Sequence, residues 1–202
     1  MTNSSQNSSG NLSLKENIIN STIDLIQSSD GLVENITIRD ISKNADISVG
    51  LINYHFGTKQ KLIEICVQRI ISQVMKSFSD LENENPQKHL HTDDFSEMTA
   101  FITRVFSFLT DHPEVSKISI LGDLAQPNPK NNSSVSYKAI YKAIADTESE
   151  NMRKLKAFML LACIQSAFLN RHIIKELLDV DFVNEDDYYQ FFYLVAKILD
   201  IL

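Results

Sequence analysis

Apolar residues recur along most of the chain at spacings of three and four, the period of a helix with one buried face. The first stripe is Leu14, Ile18, Ile19, Thr22, Leu25 and Ile26. Ser13 and Glu16 stand before it in the pattern of a capping box, where hydroxyl and carboxylate each take a backbone N–H at a helix start. Asp30-Gly31 supplies a stop, because glycine accepts the left-handed conformation that often ends a helix. A second, short helix is expected from Thr37, with Asp40 completing another box and Ile38, Ile41 and Ala45 facing inward. A third, again about two turns long, starts at Ser48 and buries Ile52 and Phe56. Gly57 ends it, and Thr58 caps a long fourth helix carrying Leu62, Ile65, Cys66, Arg69, Ile70, Val74 and Phe78.

Beyond the polar linker ENENPQKHLHTD (82–93), the same period predicts helices over 94–110, 113–121, 133–146, 151–171 and 185–202. PNPKNNSS (127–134) reads as a loop and DVDFVNEDD (179–187) as an acidic connection. The result is an all-α chain of about nine helices. The opening MTNSSQNSSGNLS is polar and uncharged, so residues 1–12 are expected to form a disordered tail rather than a secretory signal. No apolar run approaches the ~18–20 residues of a membrane span, so no membrane partner is expected.

Composition sharpens this picture modestly. The two cysteines, Cys66 and Cys163, each fall inside an apolar helical stripe, which favours small buried side chains over a bridge and fits a reducing cytoplasm. The net charge is −7, an argument against a general nucleic-acid binder. Yet residues 37–61 hold four Lys/Arg against two Asp/Glu, whereas residues 63–202 hold fourteen against twenty. The one basic window coincides with the two short helices.

Two short helices joined by a turn of three to four residues make a helix-turn-helix, whose second helix enters the DNA major groove. That geometry explains an otherwise wasteful face on DISVGLINYHFGTKQKL (46–62). Gly50 lacks a Cβ and permits close approach. Ser48, Tyr54 and His55 can bond phosphates, Val49 and Leu51 can touch thymine methyls, and Asn53 can pair with adenine. Lys59, at the start of the fourth helix, and Thr37 and Arg39, at the start of the second, are placed for phosphates.

The stretch TIRDISKNADISVGLINYHFGTKQKLI (37–63) closely resembles the DNA-binding segment of the tetracycline-repressor (TetR) family of bacterial transcription regulators. The matching positions are Thr37, Arg39-Asp40, Ile41, Ala45, Ile47-Ser48, Gly50, Tyr54, Phe56, Lys59 and Leu62. Asp46 stands where the family usually has glycine, Leu51 where a small or hydroxyl residue is common, and Asn53 where an aromatic is frequent. Lys61 replaces an acid expected in the first turn of the fourth helix. The resemblance implies a three-helix DNA-binding domain over 13–60 and a helical domain over 61–202 that binds a small-molecule effector and dimerises.

Within that second domain, one terminal stripe is Leu155, Met159, Ala162, Ser166 and Leu169, and another is Tyr188, Phe191, Phe192, Val195 and Leu199. The two could pair with their twofold mates as a four-helix bundle, and are the expected dimer interface. Phe101, Phe106, Phe108, Tyr137, Tyr141, Phe158, Gln165, Phe168 and Asn170 are candidates for lining an effector pocket, which needs a few polar groups among apolar walls. HLHTDD (89–94) lacks the spacing of a metal site, so neither metal nor cofactor is expected. The reading is a ligand-responsive transcription factor, a repressor, bound as a homodimer to near-palindromic double-stranded operator DNA. The alternative is a helical protein–protein interaction module whose DNA-binding face is idle. An enzyme fits worst, since no nucleophile–base constellation or phosphate loop is present.

Overall fold

A computed structural model describes residues 4–84, 97–145 and 147–202. Among the described residues all regular structure is helical: ten α-helices and a single 3-10 turn. The chain divides into two units, Met1–Lys88 with Lys117–Ser119, and His89–Ser116 with Ile120–Leu202.

The first unit contains α1 (Ser4–Gln27), the 3-10 turn Val33–Asn35, α2 (Ile38–Asn44), α3 (Val49–Phe56) and α4 (Lys59–Glu84). The long α4 thus groups with the short helices, whereas the sequence suggested a division at residue 60. α1 starts well before Ser13, which lies mid-helix and has no free helix start to cap. Residues 4–12 are therefore helical rather than the expected tail. Once the packed turns from Leu14 onward exist, each added residue gains a backbone bond without a new nucleus, and serine and asparagine do not block this. Glu16 instead meets α4, its two oxygens taking Nη1 and Nη2 of Arg69 at 2.5 and 3.0 Å. That pairing holds the Glu16 carboxyl below its ordinary range.

The core of this unit is Ile18, Ile26, Ile41, Ile52, Leu62 and Cys66, all fully buried. Ile63 and Val67 add a second buried edge to α4; the expected contributions of Val74 and Phe78 lie outside the described side chains. Burial pushes the Cys66 thiol up to about 12, and both cysteines are free of disulfides.

The Thr37 box forms as the sequence suggests. The Asp40 N–H donates to the Thr37 hydroxyl at 3.1 Å, and the Thr37 N–H donates to the Asp40 carboxylate at 3.2 Å. The Thr37 hydroxyl also donates to the Asp40 carboxylate at 2.5 Å, and this bond, with that from the Thr37 N–H, holds the Asp40 carboxyl below the ordinary aspartate range. The box is therefore intact at neutral pH, and its contribution is lost only as pH falls through that lowered value. Thr37→Ala is expected to cost about 1 kcal/mol of stability, read as a lower urea midpoint at unchanged slope.

The second unit contains α5 (Glu97–Asp111), α6 (Pro113–Ala125) apart from its Lys117–Ser119, α7 (Asn132–Ala143), α8 (Glu150–Leu169), α9 (Arg171–Leu178) and α10 (Glu185–Ile198). α7 packs along α8, and α5 along α10 and α8. The Phe106 ring sits 5.0–5.2 Å from those of Phe182, Tyr188 and Phe192. Phe182 comes from the segment read as an acidic connection, and it is buried. The sequence carried one helix through Arg171. The structure breaks it at Asn170 and turns α9 away at 99°.

Among the described residues no single helix is long and apolar enough to cross a membrane. The linker histidines His89 and His91 lie outside the described residues.

Candidate nucleic-acid interface

The turn between α2 and α3 is fixed by its own backbone. Ala45 caps α2, the Asp46 N–H donates to the Lys43 carbonyl at 3.3 Å, and the Ile47 N–H donates to the Ser42 carbonyl at 3.0 Å. This pair of bonds is a Schellman motif, which needs a left-handed residue at its centre. Asp46 supplies it with φ of 52°. Aspartate tolerates that geometry better than most residues, so the missing family glycine does not break the turn. The Ser42 hydroxyl donates to the Ile47 carbonyl at 2.6 Å. From α1, Asn17 donates to the Ala45 carbonyl at 3.0 Å, and Asn44 returns a bond to the Ser21 carbonyl at 2.9 Å. Two short polar side chains thus hold the turn against α1, and Ser42 braces it from within. Their only mark in the sequence is their position beside apolar stripe residues.

Ser48 caps α3, accepting from the Leu51 N–H at 3.4 Å, and Gly57 ends it with φ of 78°. Ile52 is buried, and Val49, His55 and Phe56 are half-buried. The remaining positions, Gly50, Leu51, Asn53 and Tyr54, are exposed, Tyr54 to 79%. Gly50 marks the middle of this face. A Cβ built there would meet nothing closer than the Ser48 hydroxyl at 3.8 Å, ordinary contact. Its φ is not in the left-handed region either. Glycine inside a helix costs about 1 kcal/mol relative to alanine. Neither packing nor backbone geometry in this chain requires that cost, which points to something outside it.

Residues 33–66 match the family model of the bacterial regulatory proteins of the tetR family. The first unit carries a TetR-family DNA-binding domain. No curated protein matches the chain. The TetR match begins in the 3-10 turn and ends in α4, enclosing the whole helix-turn-helix, and it supports a DNA-binding transcriptional regulator.

Most of the expected DNA-facing residues of this TetR domain do lie on its surface. Thr37, Arg39 and Ser48 are exposed alongside the α3 face, while Val49 and His55 are half-buried at its edges. Lys59 is the exception. Its ammonium donates to the carbonyls of Val33 and Ile36, both at 2.8 Å. Two of its three N–H donors are therefore committed to the 3-10 turn, and they tie the start of α4 to that turn. The sequence could not show this, because the carbonyls it meets belong to a segment with no helical period. Lys59→Met is expected to lower stability by about 1 kcal/mol, since the part-buried carbonyls of Val33 and Ile36 each lose a charged donor. Operator affinity measured against salt should keep its slope. A phosphate-bound lysine would instead reduce that slope by roughly 0.9 per protomer when removed.

The second unit redistributes the other candidates. Phe106 and Phe168 have no exposed surface and belong to the protomer's core. Phe158 is 62% exposed, and Asn170 is exposed at the end of α8, donating to the Ser166 carbonyl at 2.9 Å. Aromatic spacing alone cannot tell which side of a helix faces inward. Phe101, Phe108, Tyr137, Tyr141 and Gln165 are half-buried. Tyr141 lies under the Arg153 guanidinium at 4.7 Å, and Gln165 donates to the Ser133 hydroxyl at 2.8 Å. That hydroxyl in turn donates to Asp123 at 2.8 Å, joining α6, α7 and α8.

The proposed interface stripe on α8 is on the outside, with Leu155, Met159, Ala162 and Ser166 exposed and Leu169 half-buried. The stripe on α10 faces inward. Tyr188 and Phe192 are buried, and Phe191, Val195 and Leu199 pack partly against the same core. The outward apolar residues of α10 are Leu194 and Ile198, the latter 83% exposed.

Proposed function

We propose that this regulator is a cytoplasmic repressor that binds a near-palindromic operator as a homodimer and is released by a small-molecule effector held in the second unit. The observation that carries the DNA half of this reading is the uncovered α3 face centred on Gly50. The exposed apolar stripe of α8, with the small Ala162 and Ser166 among larger residues, supports a twofold partner. Two recognition helices held ~34–36 Å apart would meet successive major-groove faces of one duplex. Tyr137, Tyr141 and Phe101 remain the candidates to touch effector. Release then requires that effector prefer a conformation with a different head spacing. A shift from 1:99 to 99:1 needs roughly 10⁴-fold preference.

A gel shift with duplex from upstream of the chain's own gene tests the proposal. Binding by the native chain, weakened by Tyr54→Ala and by Asn53→Ala, is the expected result. A dimer in solution that binds no duplex would favour the interaction module with an idle DNA face, a reading the net charge of −7 makes worth testing.

A further inference from the structure

The recognition helix carries an unusual chemical restriction. Val49–Phe56 reads VGLINYHF, with no arginine, lysine, aspartate or glutamate. In the major groove, guanine is read chiefly by bidentate arginine or lysine on O6 and N7, and cytosine by a carboxylate accepting from N4. Neither reader exists on this helix. The Lys59 ammonium, next along the chain, is held by two carbonyls. Arg39 belongs to the first turn of α2, the helix that crosses the backbone in this motif.

The side chains that α3 does expose are of another kind. Leu51, 37% exposed, offers methyl groups, and Asn53 offers the paired acceptor and donor that match adenine N6 and N7. Gly50 and Tyr54 occupy the arc between them, one turn apart on the same face. The His55 ring stands edge-on to Tyr54 at 5.0 Å and is half-buried, which sets it to the side of this face. On one helix, then, thymine and adenine have their usual readers, while the G·C pair lacks the charged side chains that most often read it.

We propose that each operator half-site is read through A·T pairs, by Leu51 against a thymine 5-methyl group and by Asn53 on an adenine, with no guanine contact from the recognition helix. This rests on the DNA-binding reading above and specifies its partner. The test is selection of the full-length protein against a random duplex library, followed by affinity measurements on the selected site. The selected half-sites should carry A·T pairs at the positions where affinity is most sensitive. Replacing thymine there by deoxyuridine should weaken native binding roughly fourfold for each methyl lost, and should leave Leu51→Ala unchanged. Asn53→Ala should relax preference at one adenine about 5- to 150-fold.

Half-sites centred on G·C pairs, or binding indifferent to deoxyuridine, would overturn the inference while leaving the protein a sequence-specific DNA binder. No enrichment of any sequence would overturn the DNA-binding reading itself.

Discussion

Gly50→Ala should yield a protein that is more stable and binds its operator worse. The stability gain is expected at about 0.5–1 kcal/mol, the usual difference between glycine and alanine inside a helix. The free protein has room for the methyl group, whose nearest neighbour would be the Ser48 hydroxyl at 3.8 Å. For DNA the sign reverses. A methyl on the most exposed arc of α3 must either push the helix outward or displace a base contact, and every neighbouring contact on that rigid face moves with it. A loss of ten- to a hundredfold in operator affinity is expected, about 1.4–2.8 kcal/mol. The thermal midpoint and a fluorescence titration with the same preparation measure both quantities. Opposite signs are the informative outcome. Unchanged affinity with raised stability would mean that α3 never approaches a surface closely.

The contrast between the two units explains how much could be read from the sequence. In the first unit, local rules agree with one another. The Thr37 box, the left-handed Asp46, the Ser48 cap and the Gly57 stop each act within a few residues, so their chemistry is written contiguously in the chain. The face left over after Ile52 is buried follows from helix period alone. The exceptions are long-range. Lys59 finds its acceptors 23 and 26 residues away, and Asn17 reaches a carbonyl 28 residues on.

In the second unit, period told which residues share a side of a helix but not which side faces the core. α8 and α10 both carry apolar residues all round, so the stripe named on α8 faces outward and the one named on α10 faces inward. Phe182 was missed because a lone aromatic among acids has no period. Its burial against Phe106 is decided by where α10 returns to α5.

The same ambiguity makes two phenylalanines, equivalent as members of one aromatic set, behave in opposite ways when changed. Phe106→Ala should cost about 3–5 kcal/mol, because a fully buried ring leaves a cavity between α5 and α10 that Phe182, Tyr188 and Phe192 cannot all collapse into. That is roughly a fifth or more of the stability of a typical domain, so a separate, earlier unfolding transition of the second unit is expected in urea, followed by tyrosine fluorescence, since the chain has no tryptophan. Phe158→Asp should leave the protomer's own stability within about 0.5 kcal/mol, as its side chain already faces outward on α8. Its effect belongs to assembly. A carboxylate placed beside Leu155 and Met159 would have to be desolvated to pair with a twofold mate, at a cost of several kcal/mol per ion. Sedimentation should then show monomers at concentrations where the native chain is dimeric. Operator affinity should fall by the 10²- to 10⁴-fold that tethering a second reading head contributes, with α3 itself untouched. Persistence of a dimer in Phe158→Asp would move the interface away from this part of α8.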